Sequence, residues 1–125
     1  MLEKAVETFE TQTRSDIRDF CAMIDEDGGL TVFVEPFGAG QQLPASARRG
    51  ELMEEALFEL CSGYRAARER GEIPMTKVRL LEPETHLLFR DRRMFLEKTA
   101  PDQIKPIRVL DTQRNKDFFM ALSEE

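Results

Sequence analysis

Leu30 to Val34 is an apolar run rich in β-branched and aromatic residues, bounded by Gly28 and Gly29 before it and by Pro36 after it. That is the pattern of a short buried strand. A second strand-like run, Thr76 to Leu81, comes later, and between them lies the strongest helical pattern of the chain. Across Glu51 to Arg70, the side chains of Leu52, Met53, Ala56, Leu57, Leu60, Cys61, Tyr64 and Ala67 share one face. Glu51, Glu54 and Glu55 suit the positive end of the helix dipole, and Arg65, Arg68 and Arg70 the negative end. Gly71 and Pro74 stop the helix. Strand, long helix, strand is the order that most restricts the fold: it predicts two parallel neighbouring strands joined right-handedly by the helix between them.

The remaining segments are assigned around that unit. Leu2 to Asp25 fits an amphipathic helix, since Leu2, Val6, Phe9, Thr13, Ile17, Phe20 and Ile24 recur at steps of three and four, and the glycine pair ends it by residue 29. Residues 35–50 read as a flexible loop. After Leu81, the runs Thr85 to Arg90, Arg93 to Lys98 and Ile107 to Leu110 are strand-like, the first two as a hairpin. The triplets Leu87-Leu88-Phe89 and Met94-Phe95-Leu96 lie seven apart and also fit a helix. Asn115 to Leu122 closes the chain as a short helix. The expected fold is one α+β domain over residues 1–125. A mixed or antiparallel sheet of four to five strands packs one face against a long N-terminal helix, a second long helix and the short C-terminal helix.

A chain of 125 residues buries a core without staples, and 41% hydrophobic with 34% charged residues excludes a disordered or membrane-spanning composition. No leader-like or bilayer-length apolar stretch occurs, so a cytoplasmic setting is expected. Cys21 and Cys61 fall on apolar faces and are expected as reduced, structural thiols. Residues 1–62 carry 5 basic against 13 acidic side chains and residues 63–125 carry 13 against 11. The halves therefore differ in sign, and either the basic part meets an anionic partner or the two halves interleave in space.

Few motifs carry chemistry. Gly38-Ala39-Gly40 follows a strand, but Leu43 and Pro44 stand where a dinucleotide loop needs a third glycine and a helix start, and there is no G-K-[ST] of a phosphate loop. The acidic Asp25-Glu26-Asp27 lacks calcium-loop spacing, and a single histidine, His86, excludes sites built on two imidazoles. No cofactor and no metal are expected. The arginines are the most suggestive group: Arg90, Arg92, Arg93, Arg108 and Arg114 present forks that match phosphate or carboxylate, with His86 near them for proton transfer.

The stretch IRVLDTQRNKDFF, after a hairpin, resembles the last strand of RelE/ParE-type toxins over about a tenth of the chain. That resemblance implies a nucleic-acid-directed protein; it carries over no catalytic residue. The leading expectation is instead a non-enzymatic interaction or regulatory protein that binds a protein partner and self-associates as a homodimer. Its contacts would be Phe9, Ile17 and Phe20 on the first helix and Arg90, Arg92 and Arg93 on the hairpin. Asp at positions 9 and 17 would then abolish association and spare the fold. An immunity or secretion-chaperone-type protein fits the same size and acidity.

Overall fold

The computed structural model describes residues 2–37, 43–98 and 107–124. Along the chain run α1 (Leu2–Thr13), β1 (Ile17–Ile24), β2 (Leu30–Pro36), α2 (Ser46–Leu60), α3 (Ser62–Glu69), β3 (Lys77–Leu81), α4 (Thr85–Glu97), β4 (Val109–Leu110), α5 (Gln113–Ala121) and β5 (Ser123–Glu124). The strands form one mixed sheet in the order β4-β1-β2-β3-β5. β2 and β3 are the parallel neighbours expected around the helical segment, in register from Thr31 opposite Lys77 to Val34 opposite Leu80. The fold is α+β.

Strand alternation sends successive side chains to opposite faces, and here both faces are covered. Ala22, Val32, Val34 and Val78 join Ala5, Val6 and Phe9 of α1 and Leu52, Met53, Ala56 and Leu57 of α2 in one core. Cys21, Met23, Phe33 and Leu81 face the other way, onto Phe89 of α4 and Phe119 of α5. The expectation of helices on a single face is thus corrected. The second face is aromatic: Phe119 lies 4.8 Å from Phe89, 5.5 Å from Phe118 and 5.8 Å from Phe33, centroid to centroid.

Five further expectations are corrected. The N-terminal helix stops at Thr13, and residues 17–24 form β1 in an antiparallel hairpin with β2. Thr13 turns its hydroxyl back onto the Phe9 carbonyl at 2.8 Å, Arg14 adopts a left-handed φ of 54°, and the Ile17 N–H leaves the helix to bond the Glu10 carboxylate at 2.8 Å. Hydroxyl side chains that bond their own backbone weaken a helix end. Phe9 is fully buried, so it is core and not a contact surface, and Asp at position 9 would unfold the domain. The segment read as one helix over Glu51–Arg70 begins at Ser46 and breaks at Cys61, whose φ of −143° is extended. Residues 85–97, read as a hairpin, are helix α4. The strand around Ile107 to Leu110 narrows to two residues, beside β1.

Loop residues 38–42, with the Gly38-Ala39-Gly40 motif, lie outside the described residues, as do 99–106. Ion pairs join the acidic first half to the basic second half at Glu54–Arg68 and Asp19–Arg108, so the charge halves interleave. Both cysteines are free. No helix among the described residues is long and apolar enough to cross a membrane.

Candidate functional site

The register of the β1–β2 hairpin slips between Ile17 and Asp19, leaving Arg18 as the extra residue. Such bulges re-aim the side chains around them. Asp19 lies on the same face of the sheet as Cys21 on β1 and Glu35 on β2. Opposite them α4 begins, and the space between is a cavity of about 220 Å³ whose lining includes Arg18, Asp19, His86, Arg90, Arg93 and Arg108. His86, Arg90 and Arg93 are four and three residues apart on α4, so one helix face presents all three.

Glu35 organises the site from below. It is 1% exposed. Its carboxylate accepts from the His86 ring at Nδ1 (2.8 Å), from the His86 backbone N–H (2.8 Å) and from the Glu84 backbone N–H (3.1 Å), and Arg18 Nε lies 3.9 Å away. Glu84, just before α4, has a left-handed φ of 67°, a conformation a non-glycine residue keeps only where its surroundings hold it. Glu35 therefore caps α4 from a neighbouring strand, with negative charge at the positive end of the helix dipole. Burial pushes the Glu35 carboxyl up, but hydrogen bonds from the His86 ring and backbone, helped by Glu84, outweigh it and hold the carboxyl below its usual range.

The same bond fixes the imidazole. With Nδ1–H committed to Glu35, Nε2 is the atom left for chemistry. It is buried, has no hydrogen-bond partner among the described residues, and sits 4.0 Å from Asp19 Oδ1. Asp19 is itself engaged by Arg108, whose Nη1 also donates to the Phe20 carbonyl at 2.8 Å and whose guanidinium lies 4.2 Å over the Phe20 ring. Arg93 bonds Glu97 at 3.0 Å. Arg18 and Arg90 are held more loosely: the ion pairs found for them, to Glu35 and Asp91, are 3.9 Å and 3.7 Å long. Four arginines and one carboxylate line the cavity, with an imidazole at its floor.

Of the residues singled out in the sequence, His86, Arg90, Arg93 and Arg108 converge here. Arg92 and Arg114 do not; they border an adjoining cleft, with Arg92 over the Phe118 ring at 5.2 Å. Ile17 packs beside the α1–α2 core, and Phe20 lies under Arg108. Arg18, Asp19 and Glu35 were missed. Glu35 was signalled by parity alone, as a carboxylate two residues past Phe33 on an otherwise apolar strand.

The α+β domain that carries this cavity, with helices on both faces of its sheet, has known relatives. Residues 1–114 match the GH3 family C-terminal domain, and the chain belongs to that family. It superposes on a GH3.15 acyl acid amido synthetase with a TM-score of 0.76 at 15% identity, over 99% of this chain and 23% of that one. A structure titled AtGH3.15 acyl acid amido synthetase in complex with 2,4-DB gives a TM-score of 0.73 at 18% identity, over the same shares. At these identities the likeness establishes the fold. No curated protein sequence matches. The chain spans about a quarter of the length of these solved chains. Family membership overturns the reading of a non-catalytic interaction or regulatory protein, and the toxin-like and immunity-type alternatives with it.

Proposed function

We propose that this chain acts as the C-terminal domain of an acyl acid amido synthetase-type enzyme, working with a larger part that completes the active site. The observation that carries the reading is the family match across residues 1–114, reinforced by a fold shared over nearly the whole chain. Joining a carboxylic acid to an amine requires that a carboxylate oxygen first become a leaving group. The amine then attacks the acyl carbon, loses a proton, and the leaving group departs as an anion. A cationic cavity suits such charged reactants, because fixed arginines stabilise negative charge without reorganising. The outer side of α4 supplies a surface for the larger part: Phe95 is 82% exposed, with Leu88 and Leu96 also exposed, and apolar side chains grouped on one helix mark contact surfaces.

The test is amide formation by the native assembly that contains this chain, purified from its source through a tag on this domain. A panel of carboxylic acids, amines and ATP is offered, and products are read by mass. An acid-dependent amide with matching ATP consumption is expected. An intact assembly that consumes no ATP with any acid, and yields no amide, contradicts the reading.

A further inference from the structure

We propose that the cavity between α4 and the β1–β4 edge is a binding site for a phosphate group, gripped by Arg18 and Arg90 and touched by His86 Nε2. The inference stands on the cavity alone and does not depend on the amide-forming reading.

Three observations carry it. First, charge: Arg108 is matched by Asp19, and Arg93 bonds Glu97, whereas among the described residues Arg18 and Arg90 have only long ion pairs, of 3.9 Å and 3.7 Å. Two loosely held guanidinium groups at one cavity match a dianion better than a carboxylate, and a phosphate ester carries about −1.5 to −2 near neutral pH. Second, an atom asks for a ligand: His86 Nε2 lies at the cavity, buried and without a hydrogen-bond partner among the described residues, while Nδ1 is fixed by Glu35. A buried polar atom of this kind is normally satisfied, and a phosphate oxygen supplies an acceptor for Nε2–H or, when protonated, a donor to bare Nε2. Third, size: about 220 Å³ falls below the ~300 Å³ at which whole drug-sized ligands begin to fit. The site therefore takes an anionic head and leaves the rest of a ligand outside.

His86 is the only histidine, so its ring nitrogens assign themselves in a long-range 1H–15N spectrum of the 125-residue chain. Inorganic phosphate is titrated at constant ionic strength near pH 7.5, with acetate and AMP as parallel arms. Phosphate should move the Nε2 resonance to saturation. Arg18→Gln with Arg90→Gln should raise the dissociation constant by roughly ten-fold or more, as expected for two lost charge-assisted contacts. Arg48→Gln with Arg65→Gln, an equal loss of charge on α2 and α3, should change it by less than about two-fold, since exposed charges acting only at a distance are largely screened. Saturation by AMP at lower concentration than by phosphate identifies a phosphate ester as the ligand; saturation by phosphate alone identifies the free ion. Unsaturable drift in every arm overturns the proposal. So does acetate acting as strongly as phosphate, or an equal loss from both arginine pairs.

Discussion

Glu35→Gln tests the architecture of the site in one atom exchange. The carboxylate accepts three hydrogen bonds, two at 2.8 Å and one at 3.1 Å, while 1% exposed. An amide of the same shape keeps one acceptor oxygen and turns an NH2 group onto donors that now have no acceptor. Losing one or two charge-assisted bonds at about 1.5–3 kcal/mol each gives a destabilisation of about 1.5–6 kcal/mol. That is a large part of the ~5–15 kcal/mol that holds a domain together. With a urea slope of ~2 kcal/mol per molar, the unfolding midpoint followed by circular dichroism should fall by about 0.8–3 M at pH 7. The sign with pH follows from the lowered Glu35 carboxyl. Its stabilisation is fully present above the unfolded value of 4.5 and is lost as pH falls through the lower folded value. The gap between wild type and variant should therefore shrink below pH 4.5. A gap under about 1 kcal/mol at pH 7, or one that stays constant on acidification, would refute the capping role of Glu35.

Four other outcomes follow from packing and exposure. Phe119→Ala removes the ring shared by Phe33, Phe89 and His86 and should destabilise by about 3–5 kcal/mol in the same urea assay. At Gly50 a Cβ would come within 2.8 Å of the Thr76 carbonyl oxygen, whereas at Gly63 it meets nothing within 4 Å. Gly50→Ala should accordingly lower the melting temperature, by a loss of about 1–3 kcal/mol, while Gly63→Ala in α3 should hold or raise it. Burial pushes the Cys21 thiol strongly up, with Asp19 adding to it, so a thiol reagent at pH 8 should modify Cys61 first and reach Cys21 only on unfolding. Phe95→Asp, at a mostly exposed position, should change the stability of the chain by less than about 0.5 kcal/mol yet, on the proposed amido synthetase reading, weaken its association with the rest of that assembly, read by co-purification.

Strand, helix and strand at the centre of the chain were legible because composition, length and boundaries agreed there. Residues 17–24 were not, because Ile17, Phe20 and Ile24 satisfy a helical step while Asp19, Cys21 and Met23 alternate as a strand. The junction at Arg14 holds no glycine or proline to mark it, and the stop comes from Thr13 and Glu10 turning back on the backbone. Residues 85–97 were ambiguous for a different reason: apolar triplets seven apart serve a hairpin or a helix. The carboxylate that decides for the helix, Glu35, lies 51 positions from His86. The arginines were visible as a group, but which of them meet depended on that helix: Arg90 and Arg93 face the sheet side with His86, and Arg92 points past it toward Phe118.

The cavity is shaped like a pair of jaws. His86, Arg90 and Arg93 ride together on α4, Arg18, Asp19 and Arg108 belong to the β1–β4 side of the sheet, and Glu35 joins the two through its bonds to the start of α4. The three side chains on α4 are placed together, as one rigid set, relative to those on the sheet. The cavity and the exposed apolar side chains around Phe95 are therefore two sides of one helix, held to the sheet through the same Glu35 carboxylate.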